Sequence, residues 1–258
     1  MHNHEFVNIY DEVFETIKEL KGDVIETHIK RLKELDKLIP PSAMFFCITN
    51  TTKRSFEFVS KNFSYATGLD RKKMEDEGMT YWWSRYHPDE ASIWLKVLSE
   101  LMEFTLAEIP QEDRKRVSYI WNYSIKNSKD EYLNVTQHTT PMYFDDEGKP
   151  VIGLAHYSVT GSGDRIPMKS TALILNANDE YETIYYKNYS QHLLENKYSH
   201  RERDILRLLS LGHSTSEIAK KLFISEHTVH THRKNILAKT DCQNITELVA
   251  KCIRDGLL

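Results

Sequence analysis

The stretch that decides the architecture runs from Ser199 to Ile253: SHRERDILRLLSLGHSTSEIAKKLFISEHTVHTHRKNILAKTDCQNITELVAKCI. Ser199 is followed three residues later by Glu202, and Ser214 by Glu217. That is the spacing in which a hydroxyl and a carboxylate satisfy the free N–H groups of a helix start. Asn244 and Glu247 repeat it with an Asn cap, and Ser225 precedes Glu226, an acid that suits the helix dipole. Gly212 falls where the first helix must stop, because glycine enters the left-handed region without steric penalty. The spacing predicts helices over about 200–211, 215–222, 226–239 and 245–255.

The apolar positions of these helices converge. Ile205, Leu206, Leu208 and Leu209 stripe the first, and Ile218, Ala219 and Leu222 the second, with Ile224 plugging the turn. Val229, Ile236 and Leu237 stripe the third, and Leu248, Val249, Cys252 and Ile253 the fourth. Left outward on the third are His227, His230, Thr231, Arg233, Lys234 and Lys239. A short helix, a tight turn and a second helix with a cationic face form helix-turn-helix geometry, which points to double-stranded DNA as partner.

On Ser199, Arg201, Glu202, Ile205, Leu206, Leu208, Leu209, Gly212, Ser214, Glu217, Ile218, Ala219, Leu222, Ile224, Ser225, Thr228, Val229, His232, Asn235, Ile236 and Lys239, this stretch resembles the LuxR-type DNA-binding domain of bacterial regulators. The resemblance implies that the helix from Glu226 enters the major groove. His230, Thr231 and Lys234 would face bases, and Ser225, Thr228 and Lys239 would lie near phosphates. Arg233 belongs to the same DNA-facing set. The last helix would be a dimerisation face, so a homodimer is expected, with the transcription machinery as a candidate further partner. His230 stands where the family usually has Lys, and Ser216 where it often has Lys. Both remove a fixed positive charge and make the hold on DNA more dependent on dimerisation.

Charge points the same way. From Tyr198 onward there are ten Lys and Arg against seven Asp and Glu, net +3, while the remainder carries 24 against 31, net −7. The sign asymmetry fits a DNA-binding part joined to an acidic sensory part. Three cysteines, Cys47, Cys242 and Cys252, are too few for a disulfide framework and are expected as small buried hydrophobes. No apolar run approaches the length of a membrane span and the first residues are acidic, so a cytoplasmic setting without membrane contact is expected. No nucleophile elbow, HExxH cluster or phosphate-binding glycine loop is present, and no enzyme, metal site or resident cofactor is expected.

Residues 5–38 read as helix, with Phe6, Ile9, Val13, Ile17, Leu20 and Val24 near a heptad seam, Gly22 interrupting and Pro40-Pro41 stopping it. The seam suits either a dimerising, signal-coupling helix or one that packs on the next domain. Residues 43–159 then read as a hairpin, short helices, a long helix from HPDEASIWL and three strands. In FEFVSKNFSYATGLD, with Asn62 and Gly68, in YHPDE (Tyr86 to Glu90) and in the closing pair over residues 131–160, the order resembles a PAS sensory domain. The expected fold class is α+β: a PAS-like antiparallel sheet with flanking helices, followed by an all-α four-helix LuxR-type helix-turn-helix domain. The expected division is 1–40 helical segment, 41–160 PAS-like domain, 161–197 hairpin and connector, and 198–258 DNA-binding domain. The hairpin, TALILN with YETIYYKNY, would either extend the sensory sheet or cover the DNA-binding unit.

A sensory cavity would hold an unknown small molecule. Candidates to line it are Phe46, Phe63, Trp82, Trp94, Trp121, Tyr123 and His138, with Phe58, Tyr65, Trp83, Tyr119, Met142 and Tyr157 beside them. No Cys lies between Cys47 and Cys242, against a light-sensing flavin site, and the long helix after Pro88 has no His for haem. The alternative input is an acyl-homoserine-lactone-like ligand, echoed by Trp82, Tyr86 and Asp89.

Overall fold

The computed structural model describes residues 3–14, 23–163, 165–190, 194 and 197–254. They divide into two compact units: Met1–Arg165 with Lys169–Lys187, and Ile166–Met168 with Asn188–Leu258.

Unit 1 opens with helices α1 (Asn3–Phe14) and α2 (Asp23–Leu38). The seam positions Ile17 and Leu20, the interrupting Gly22, and residues 191–193, 195 and 196 of the expected connector lie outside the described residues. The hairpin β1 (Met44–Asn50) and β2 (Ser55–Val59) follows, then α3 (Asn62–Thr67), α4 (Arg71–Ser84) and the long α5 (Pro88–Glu108). Pro88 sits in the first turn of α5, where its missing N–H has no helical partner to lose. Strands β3 (Val117–Lys126), β4 (Tyr132–Phe144), β5 (Pro150–Ser162), β6 (Lys169–Leu175) and β7 (Tyr181–Asn188) complete the unit. The antiparallel sheet runs β2-β1-β5-β4-β3-β6-β7, so the hairpin of β6 and β7 extends the sheet beyond β3.

Strand alternation gives the sheet two different faces. Phe45, Thr49, Tyr119, Trp121, Gln137 and Tyr157 point to the side where α5 lies. Phe46, Ile48 and Phe58 point to the other, where Ile29 and Leu32 of α2 cover them. Helix α4 is broken at Gly78, whose φ of 62° and ψ of −143° fit glycine alone. A Cβ there would come within 2.5 Å of the Arg54 carbonyl oxygen, and the kink lets Met79 N–H donate to that same oxygen.

Unit 2 holds α6 (His200–Ser210), α7 (Thr215–Leu222), α8 (Glu226–Ala238) and α9 (Ile245–Arg254). Both Ser–Glu capping boxes form, at Ser199/Glu202 and Ser214/Glu217. At the Asn-capped start of α9, Asn244 accepts the Glu247 N–H, while Glu247 reaches back one residue further, to Gln243 N–H. Helix α6 ends in a Schellman turn: Gly212, at φ 82°, donates to Leu209 O and His213 donates to Leu208 O. Ile205, Leu206, Ile218, Ala219, Val229, Ile236, Leu248 and Cys252 form the core, joined by Leu194 and Tyr198. Cys47 and Cys252 are buried and Cys242 is half-buried.

Candidate functional site

Helix α8 starts at an open N-terminus. The Ser225 hydroxyl accepts the Thr228 N–H at 3.0 Å, and the two hydroxyls bond each other at 2.8 Å. Val229 and Ile236 anchor the buried side, so the 3.6-residue period turns His227, His230, Thr231, Lys234 and Asn235 outward, all exposed. The Thr231 hydroxyl donates to His227 O and keeps lone pairs free to accept. This stripe combines imidazoles, a hydroxyl, an amide and an ammonium, the groups that read base edges.

Two of the expected DNA contacts are also engaged within the unit. Arg233 donates to the Thr215 hydroxyl at 2.9 Å, tying α8 to the first turn of α7. Lys239, at the end of α8, lies 2.7 Å from the Glu202 carboxylate and over the Tyr198 ring. Burial pushes the Glu202 carboxyl up, but the Lys239 ammonium and the Ser199 bonds outweigh it and hold it below the usual range. Arg201 donates to Leu222 O, closing the end of α7. The turn between α7 and α8 places Phe223 in the left-handed region (φ 55°) and 94% exposed.

The second feature is a cavity of about 100 Å³ in unit 1. All four tryptophans, Trp82, Trp83, Trp94 and Trp121, line it, with Tyr86, Tyr119 and Tyr157. A hydrogen-bonded chain lies along one wall: Trp82 Nε1–H donates to Tyr123 Oη, which donates to Gln137 Oε1, and Gln137 Nε2 donates to Thr139 Oγ1. Burial pushes the phenol of Tyr119 up to about 12 and raises Tyr123 further, so both stay neutral. Among the described residues, no charged side chain lines the cavity.

Of the seven ligand candidates, Trp82, Trp94 and Trp121 line this space. Phe63 and Tyr123 stand behind it, the first against Phe45 and Trp82. Phe46 and His138 require correction, because alternation puts them on the opposite face, where Phe46 and His138 both pair across to His156. Phe58 and Met142 belong to that outer cluster, and Tyr65 is exposed. Trp83, Tyr119 and Tyr157 do line the cavity. Residues missed were Gln137 and Thr139, which the alternation in NVTQHTT separates from His138, and Tyr10 and Phe14 of α1. Asp89, third member of the lactone-like echo, lies outside the lining and pairs with Arg165 at 3.1 Å.

Among the described residues, no group of His, Cys, Asp and Glu is placed to hold a metal ion, and no helix is long and apolar enough to cross a membrane.

Comparison with known proteins agrees with the helical unit. The family described as bacterial regulatory proteins, luxR family, matches residues 196–252. The "Probable csgAB operon transcriptional regulatory protein" of Salmonella typhimurium is 30% identical over 153 residues, covering 56% of this chain and 70% of that protein. The CsgBAC operon transcriptional regulatory protein of Escherichia coli is 29% identical over the same lengths. A solved structure of the Vibrio cholerae VqmA dimer is similar at 15% identity and a TM-score of 0.30, with 88% of each chain covered. A capped helix-turn-helix and a relative matched over most of its length lead to one conclusion: the chain belongs to the luxR family of bacterial regulatory proteins, as a transcriptional regulator with a DNA-binding helix-turn-helix.

Proposed function

We propose that this regulator is a cytoplasmic homodimer in which residues 41–160 form a PAS-like sensory domain and residues 198–258 bind operator DNA. The observation that carries the proposal is the exposed stripe of α8, bounded by a capped, open helix N-terminus. His230, Thr231 and Lys234 meet base edges in the major groove. Ser225 and Thr228, at the N-terminus of α8, lie where backbone N–H groups attract phosphate. Arg233 and Lys239 contribute positive charge while bracing the helix from within. The cavity of unit 1 supplies the input: a small molecule shifts the population of dimers whose two α8 helices are spaced for half-sites one helical turn apart. The bound regulator then meets the transcription machinery. A lactone-like ligand fits less well, since Trp82 and Tyr86 line the cavity but Asp89 does not.

Selection of duplexes from a random-sequence pool by the purified chain tests this. The expected product is a site with dyad symmetry and half-sites about 10 base pairs apart, centre to centre. Enrichment of a single, asymmetric site would exclude the dimeric reading, and no enrichment would exclude sequence-specific binding.

A further inference from the structure

The lining of the unit 1 cavity restricts what it can hold. No Asp, Glu, Lys, Arg or His lines it among the described residues, so an ion placed inside would lose its hydration with no counter-charge to meet it. Zwitterions, carboxylates and phosphorylated molecules are thereby disfavoured. The volume, about 100 Å³, is of the order of the ~150 Å³ cavity that takes one benzene in an engineered protein. Its walls are flat rings, including Trp82, Trp94 and Trp121.

The polar groups at hand are mostly engaged. Gln137 accepts from Tyr123 and donates to Thr139, and Thr49 donates to Gly153 O. Two lining groups stand apart: the Tyr86 hydroxyl and Trp121, 6% exposed, whose Nε1–H can only donate, are both buried without a hydrogen-bond partner among the described residues. A buried donor left unmade is costly, and an acceptor brought by a ligand recovers that loss. Helix α1 completes the site. Tyr10 and Phe14 line the cavity, Tyr10 Oη reaches Met79 Sδ at 3.1 Å, and Asp11 pairs with Arg54 at 3.0 Å.

Resting on the sensory reading above, we propose that this cavity binds a neutral, flat, single-ring molecule with one hydrogen-bond acceptor, met by Trp121 Nε1–H. Its ring packs against Tyr10 and the tryptophans, so an occupied cavity holds α1 in place.

The test uses the full chain and three probes, acetophenone, toluene and benzoate, titrated by calorimetry and by tryptophan fluorescence. All four tryptophans line the cavity, so the emission reports on this site. Acetophenone is expected to bind saturably and benzoate at least about a hundred-fold more weakly. The variant Trp121→Phe keeps a ring and removes the donor. It is expected to weaken acetophenone about ten-fold and leave toluene unchanged, toluene binding also showing that the variant's cavity is formed. Benzoate binding as tightly as acetophenone, or Trp121→Phe weakening both neutral probes equally, would overturn the proposal. Duplex binding by the same preparation separates the two levels. A chain that binds its selected duplex but no neutral ring refutes this ligand class and leaves the regulator. Saturable acetophenone binding supports the ligand class, and if duplex binding then fails to respond, it is the sensory reading that is contradicted.

Discussion

In unit 2 the apolar side chains are gathered into a small centre around Ile205, Ile218 and Ile236, while the polar stripe of α8 faces water. In unit 1 the arrangement is inverted: Trp82, Trp94 and Trp121 surround an internal space, and Thr49, Gln137 and Thr139 are turned toward it. The contrast fits the two partners proposed above. A polyanion is met on the surface by charge and dipole, which tolerate water. A small neutral molecule must be enclosed, with each polar contact placed where water is excluded. The two units therefore fail differently when altered.

The largest effect is expected from Ile236→Ala. Ile236 is fully buried, and its truncation costs about 2–5 kcal/mol, comparable with the whole stability of a unit this small. Unit 2 should melt early and duplex binding should vanish, while tryptophan fluorescence, confined to unit 1, keeps its transition. A simultaneous loss of both transitions would break the distinction between the units.

Gly78→Ala should act in the opposite sense, costing about 3 kcal/mol in unit 1, because the φ and ψ of Gly78 are foreign to alanine and the new Cβ meets the Arg54 carbonyl. The tryptophan transition should fall while helical ellipticity from unit 2 persists. Ser214→Ala, which removes one half of a capping box, should cost about 1 kcal/mol in unit 2 alone, read as a lower denaturant midpoint.

The finest discrimination comes from pH. In unit 1, burial lowers the pKa values of His87, His138 and His156, aided by the Arg165 charge at His87. The folded unit prefers them neutral, so this stability is complete above the ordinary histidine value of 6.5 and is lost as pH falls below it. Glu90, raised by burial, works the other way: its charged form is disfavoured in the folded unit, and that cost is relieved as pH falls through its raised value toward 4.5. In unit 2, Glu202 is depressed, so its contribution is complete above 4.5 and is lost as pH falls through its lowered value. Between pH 7 and 5.5 the tryptophan transition should move down more than the unit 2 transition. The reverse order would contradict the assigned environments.

Legibility in the sequence followed contact distance along the chain. The capping boxes and the Gly212 turn involve residues a few positions apart, so their residue types alone announce them. The strand and helix order of unit 1 was readable from alternation, yet which candidates shared a face required applying that alternation to each strand. Phe46 and His138 have the residue types a lining calls for, an aromatic ring and an imidazole, but strand parity places them outside the cavity. Other features depend on pairings that no local pattern contains. Tyr10 reaches Met79 across 69 positions, Lys239 reaches Glu202 across 37, and β6 joins the sheet beside β3. The Gly78 kink was hidden because a glycine inside a helical segment does not reveal that another chain segment, at Arg54, presses against it.

The central claim is that the exposed stripe of α8 reads DNA sequence. It is tested most directly by measuring the affinity of the wild-type chain and of Thr231→Ala and Lys234→Ala for the selected duplex and for a scrambled one, across a range of salt. Both variants should keep wild-type melting and lose about 1–3 kcal/mol on the selected duplex, with little change on the scrambled one. Wild-type affinity of both variants for the selected duplex would contradict the claim.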